Sequence, residues 1–213
     1  DGAADLLMVG VNSSSYDGEG NPTASRLNIH RWLGQGAGQP DRLSAITTGS
    51  GARHEISYAP LTDKAVYTKD SGNLAARYPF ADVIAPLWVV SASAQSNGLG
   101  GMNRSRYTYG GLKLEHASAP GVGRGLLGYR WMRSAEDISG IETYREYRQD
   151  WPYVGQLIKS ETRLAGHGHG GLLKQSLHYH DCYLSNAANT TTACYYPAPG
   201  LSYFAYEIGR AHV

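Results

Sequence analysis

The 213-residue chain carries 19 Lys and Arg against 18 Asp and Glu, a formal net charge of +1. So even a balance leaves no electrostatic footprint for a polyanion, and nucleic acid is not an expected partner. No apolar run approaches the roughly 20 residues of a membrane-spanning helix, and no charged start with an apolar stretch marks a secretion signal, so direct membrane insertion is not expected either. The length is enough to bury a sizeable core, as one domain or one plus part of another. Gly (27) and Tyr (16) are the unusual counts. Glycine serves turns that need positive φ and tyrosine suits a pleated, half-buried surface, so both favour an all-β fold.

At the start, Asp1-Gly2-Ala3-Ala4-Asp5-Leu6 reads as the second half of a calcium loop of the D-x-D-x-D-G-x-x-D kind, with its beginning missing. Asp1 and Asp5 would supply hard carboxylate oxygens to the ion, but two carboxylates cannot complete a shell of about six to eight ligands. Calcium is therefore expected only in an intact protein, and the site is expected to be empty or crippled in this fragment. Residues 6–9 and 27–32 are short apolar pieces split by a polar stretch over 12–25, which fits two strands joined by a long loop.

From residue 43 the pattern becomes a series of hairpins. Residues 43–48 and 53–58 flank Gly49-Ser50-Gly51, and His54, Ile56 and Tyr58 alternate with polar neighbours as a half-buried strand requires. Residues 88–94 and 104–109 pair around Asn97-Gly98-Leu99-Gly100-Gly101, with Tyr107 and Tyr109 on one face. Residues 126–134 and 140–148 make a third hairpin around 135–139, and 157–164 and 172–180 a fourth around a Gly/His turn. Between the first two, Pro60, Pro79 and Pro86 limit any helix, and residues 60–86 are expected to be an irregular crossing loop. The final Ile208-Gly209-Arg210-Ala211-His212-Val213 can be encoded by ATC GGA AGA GCA CAC GTC, the start of a common sequencing adapter. This tail is expected to be an artefact outside the fold, a natural polar terminus being the alternative.

Candidate sites are few. His167-Gly168-His169 with His178 and His180 could gather imidazoles around zinc or copper. The simpler reading is a Gly/His turn followed by two surface histidines on one face, because no Cys or carboxylate spacing completes a metal site. Cys182 and Cys194 bracket a polar, turn-rich loop. In an exported protein they could form a disulfide contributing roughly 2–4 kcal/mol. Two buried free thiols are the alternative, and a thiol at Cys182 activated by His180 is the remaining reading. Glu136-Asp137 with Glu142 and Glu146 suggests the paired carboxylates of glycoside chemistry, but a turn and the outward face of a charged strand place them in solvent. Gly121-Val122-Gly123-Arg124-Gly125 lacks the Lys-Ser/Thr of a phosphate loop and precedes a strand, where an anion site needs a helix N-terminus. No catalytic residue is assigned, and the chain is not expected to be an enzyme.

Three motifs in one order, Ile46-Thr47-Thr48-Gly49-Ser50-Gly51-Ala52, Ile56-Ser57-Tyr58-Ala59-Pro60-Leu61-Thr62-Asp63 and Val66-Tyr67-Thr68-Lys69, resemble insecticidal Tc toxin B components and the virulence-plasmid B (SpvB-like) proteins. Val89-Val90-Ser91, Ser96-Asn97-Gly98-Leu99-Gly100-Gly101, Tyr107-Thr108-Tyr109, Gly123-Arg124-Gly125-Leu126-Leu127-Gly128-Tyr129 and Tyr147-Arg148-Gln149-Asp150-Trp151-Pro152-Tyr153-Val154-Gly155 continue the likeness in register. It covers about residues 40 to 160. The opening D-G-x-x-D-L looks like the last blade of an FG-GAP (VCBS) β-propeller, which precedes this region in the family. The resemblance implies a hollow shell of β-sheet, related to Rhs and YD-repeat proteins, that encloses a toxic polypeptide until delivery. It also implies export to the extracellular space within a multi-subunit toxin complex. The Ser-Thr-Ser and Glu-x-Glu signature of relatives with an ADP-ribosyltransferase domain is absent from the sequence.

The expected organisation is residues 1–40 as the end of the propeller or linker strands, 41–160 as a toxin B middle/N-terminal-like shell segment, 161–207 as continued β-rich shell, and 208–213 as the adapter tail. The expected fold is all-β, with successive antiparallel hairpins forming a large curved sheet that is part of a shell. The expected role is structural, with other toxin-complex subunits and an enclosed toxin polypeptide as partners. The alternative is a secreted carbohydrate- or receptor-binding β-domain that would use Trp32, Trp88, Trp131 and Trp151 as stacking platforms.

Overall fold

The structure, a computed structural model, describes residues 6–17, 19, 22–32, 42–117, 123–167, 171–185 and 202–212. Among these it is all-β and contains no α-helix. β1 (Leu6–Tyr16) and β2 (Pro22–Trp32) pair antiparallel as a two-stranded ribbon. The long polar loop expected over 12–25 is thereby corrected: Asn12 faces Arg26 and Ser13 faces Ser25 within the ladder. Ladder hydrogen bonds come from the backbone, so a polar run can pair as well as an apolar one.

The remaining strands are β3 (Ala45–Thr47), β4 (Arg53–Pro60), β5 (Tyr67–Thr68), β6 (Phe80–Asp82), β7 (Trp88–Ser96), β8 (Met102–Glu115), β9 (Gly125–Glu136), β10 (Ile141–Tyr147), β11 (Leu157–Leu164), β12 (Leu172–Ser185) and β13 (Ser202–His212). They form one open 11-stranded sheet in the order β13-β12-β11-β10-β9-β8-β7-β4-β3, with β5 and β6 also on β8. All four expected hairpins are present as β3–β4, β7–β8, β9–β10 and β11–β12. Their turns are held by local polar chemistry. The Asn97 side-chain oxygen accepts from the backbone N–H of both Leu99 and Gly101 at 2.9 Å, the Asx geometry that favours asparagine in turns. The Ser139 hydroxyl donates to Glu136 at 2.8 Å and accepts from the Ile141 N–H at 3.1 Å.

The connector between β4 and β7 departs from expectation. It is largely irregular, with one 3₁₀ turn over Gly72–Leu74, yet β5 and β6 both join the sheet. β7 pairs with β8 only from Ala92 to Ser96, and the connector takes the seat along β8 that the first half of β7 leaves open. It also brings the apolar cover. The core cluster is Ala59, Leu61, Val66, Tyr67, Tyr109 and Leu112, with Leu61 only 1% exposed. A connector limited by prolines against helix can still bury side chains, because turns and short bridges satisfy its backbone: Leu61 N–H bonds to Leu87, Val83 N–H to Leu112 and Tyr109 N–H to Val66.

Tyr67, Tyr109 and Tyr129 meet at the centre of this cluster. Ring centroids are 4.9 Å apart for Tyr109–Tyr129 and 6.3 Å for Tyr67–Tyr129, the latter edge-on, within the range aromatic pairs prefer. Two of the hydroxyls bond to backbone: Tyr67 donates to the Val83 carbonyl and Tyr109 to the Val90 carbonyl, both at 2.8 Å. Burial pushes the Tyr129 phenol up to about 12.

β11 spans residues 160 and 161, so the boundary placed there falls inside a strand of the common sheet. Residues 209–212 of the tail set aside from the fold pair with 176–179 of β12.

Candidate functional site

The densest polar chemistry sits where the connector meets β8 and β9. Asp70 is buried, and Arg130 grips it bidentately, Nε to Oδ2 at 2.9 Å and Nη2 to Oδ1 at 2.7 Å. Lys113 reaches the same carboxylate at 3.0 Å, the Leu74 carbonyl at 2.7 Å and Asp82 at 3.4 Å. The strand accommodates this at Gly110-Gly111. A Cβ on Gly111 would stand 2.6 Å from Asp70 Oδ2, and its φ of +63° strains any other residue. A Cβ on Gly110 would lie 2.1–2.4 Å from the Trp131 indole, which covers that glycine from the neighbouring strand. One glycine thus admits a carboxylate and the other an aromatic ring. Gln149, from the loop after β10, donates to the Gly111 and Gly128 carbonyls at 2.6 and 2.7 Å and closes the end of the cluster.

From Arg130 the charges continue across the sheet. Arg130 lies 3.5 Å from Glu146, Glu146 3.8 Å from Lys159, and Lys159 3.3 Å from Glu161. Glu161 also accepts from Arg163 at 2.9 Å and from Gln175 at 2.8 Å. Burial alone would raise the Asp70 carboxyl, but the hydrogen bonds from Arg130 and Lys113 outweigh it and hold it below the usual carboxylate range. Burial works against Glu161 in the same way, and Arg163, Gln175 and Lys159 hold it low. Carboxylates held low are weak bases, so this row is suited to tying strands together and poorly suited to proton abstraction.

A second feature is an open cleft of about 780 Å³ over β3, β4, β7, β8 and β9. The register aligns its floor in two rows that run perpendicular to the strands. Ile46, His54, Gln95 and Asn103 face one another in the first, and Ile56, Ser93, Ser105 and Glu136 in the second. Ile46 (46% exposed) and Ile138 (70%) form apolar rims. The arrangement offers hydrogen-bonding side chains beside apolar ones, the mixture found in binding surfaces.

The sequence-derived candidates fare unevenly. Asp1, Asp5, His169, Cys194, Gly121 and Val122 lie outside the described residues, as does the side chain of Trp32. Cys182, on β12, is disulfide-bonded, which leaves no thiol for activation by His180. His178 and His180 share a face, but the expectation of two surface histidines is corrected. His178 is buried with Nδ1 3.0 Å from Glu207, and His180 is half-buried beside the Tyr153 ring. Their burial follows from β13 lying alongside β12, a long-range pairing. Among the described residues no three His, Cys, Asp or Glu side chains are placed to hold a metal ion. Glu142 faces Arg163 across the ladder, and Glu146 is half-buried between Arg130 and Lys159, so the solvated face expected for these carboxylates is corrected at Glu146. β9 begins at Gly125, so a strand follows the glycine run, as expected.

Sequence reading missed Asp70, Gly110 and Gly111. The pair Tyr109-Gly110-Gly111-Leu112 inside a strand pattern is the signal that could have found the last two, since glycine in a strand marks close approach of another group. The three tryptophans with described side chains are committed within the molecule. The Arg42 guanidinium lies 4.2 Å above Trp88, Trp131 covers Gly110, and Trp151 sits 4.3 Å from Arg124 and edge-on to Tyr203. Compared with known proteins, the chain matches no family model, no curated protein and no solved structure.

Proposed function

We propose that this chain is a wall segment of a bacterial toxin-complex protein, one that encloses a toxic polypeptide and helps deliver it outside the cell. The observation that supports this reading most is the architecture: one unclosed 11-stranded sheet built from successive hairpins, with an apolar cover, among the described residues, at its middle. A wall needs broad sheet with edges that can continue into more sheet, and among the described residues β3 and β13 end the strand order. The charge row across β8 to β12 and the glycine-seated Asp70 stiffen the sheet without offering a strong base. In this reading the segment has no catalytic group of its own, and the toxic chemistry belongs to the enclosed polypeptide. The partners are that polypeptide and the other subunits of the complex. The stacking-platform alternative is the weaker one, because the three tryptophans with described side chains already pack against arginine, glycine or tyrosine.

The test is to express the complete gene and image its product by electron microscopy. A hollow particle with internal density is the expected result. A compact particle with no cavity overturns the wall reading.

A further inference from the structure

We infer that the open cleft over β4, β7 and β8 is a binding site for a neutral oligosaccharide laid across the strands. This stands apart from the wall reading and uses none of the tryptophans. His54, Gln95 and Asn103 face one another across adjacent strands and line the cleft. Among the described residues, no hydrogen bond or ion pair engages any of these three side chains. Several other polar side chains that line the cleft are engaged, Glu55 by Arg53, Ser93 by Tyr107 and Glu136 by Ser139, whereas this row leaves its hydrogen-bonding groups open to the cleft.

The spacing selects the ligand. Strands lie roughly 4.8 Å apart, so the row presents one hydrogen-bonding side chain at about that interval. That interval is comparable to the length of one pyranose ring and longer than the rise of an extended peptide, roughly 3.3 Å per residue. Amide side chains both donate and accept, which matches hydroxyls that do the same. Ile46 and Ile56 continue the two rows, and Ile138 stands at the rim, where the C–H faces of sugar rings would rest. The nearest charges divide between the signs, Glu55 and Glu136 against Arg104, and Glu55 is already paired with Arg53 at 2.9 Å. A strongly charged saccharide gains little there, and a neutral one loses little.

The chain is titrated with cellohexaose and with maltohexaose by calorimetry, while the side-chain amide signals of Gln95 and Asn103 are followed by NMR. Binding of at least one hexaose is expected, with both amide signals shifting. Gln95→Ala and Asn103→Ala should each weaken binding roughly five-fold, the loss of about one net hydrogen bond, while far-UV circular dichroism stays unchanged. Lys174→Ala, outside the cleft, should leave binding as it was. Because the amide shifts are read on the unaltered protein, the inference stays testable even where a variant folds poorly. Failure of both sugars to bind, binding that survives the paired Gln95→Ala and Asn103→Ala changes, or displacement of the sugar by an unstructured peptide overturns it.

Discussion

The middle of the sheet and its β12–β13 end are built from the same hydrogen-bonded ladder but stand in opposite relation to solvent. Under the connector, Leu61, Tyr67, Tyr109 and Leu112 are buried, and a buried carboxylate is gripped by two cations. Along β12 and β13 the buried side chains are polar, Ser176 and His178, while Leu173 and Phe204 are 61% and 67% exposed. The difference teaches where the stability of a broad sheet resides. Pairing extends the sheet in its plane at little net gain per hydrogen bond, whereas burial of an apolar cluster needs a second layer, and among the described residues the connector supplies one over β8 and its neighbours.

The strongest way to break this contrast is at Asp70. Asp70→Ala leaves Arg130 and Lys113 without their shared buried partner, and a loss of about 3–5 kcal/mol is expected in urea unfolding. A loss below about 1 kcal/mol would show that the cluster relaxes into solvent and that the middle is no more tightly built than the end. Leu61→Ala comes next, with about 3 kcal/mol expected from lost burial and the cavity left behind. Gly110→Ala should follow at roughly 1–3 kcal/mol as the added methyl displaces the Trp131 indole. Its companion readout is a change in tryptophan fluorescence.

Titration sharpens the same comparison. The Asp70 carboxyl is held below its unfolded value, near 4, so its contribution is present above that pH and is lost as pH falls through the lower folded value. Stability should therefore fall in acid, and Asp70→Asn should flatten that part of the stability profile. On the alkaline side the Tyr129 phenol sits at about 12, against an unfolded value near 10. Folded protein then holds the proton more tightly, and stability should decline as pH rises between those values, with tyrosinate absorbance as the readout. The smallest effect belongs to the end of the sheet. Phe204→Ser should change stability by less than about 0.5 kcal/mol while lowering self-association, because Phe204 is 67% exposed and stacks on Tyr206 in an exposed strip.

By itself the sequence determined the all-β class, the four hairpins and their order. Those depend on signals a few residues wide: alternation in residues 53–58, the Asn97 turn, the Ser139 turn. Gly110-Gly111 was half legible, since paired glycines inside a strand announce a close approach without naming what approaches. Only the tertiary structure decided that the approaching groups are Asp70 and Trp131, that the connector is the lid of the core, and that His178 is buried. Asp70 and Arg130 stand 60 residues apart in the chain, and no local periodicity encodes a meeting at that distance. The row of His54, Gln95 and Asn103 is of the same kind. Each residue reads locally as an ordinary polar position, and the three become a row only once the registers of β4, β7 and β8 are set by backbone pairing.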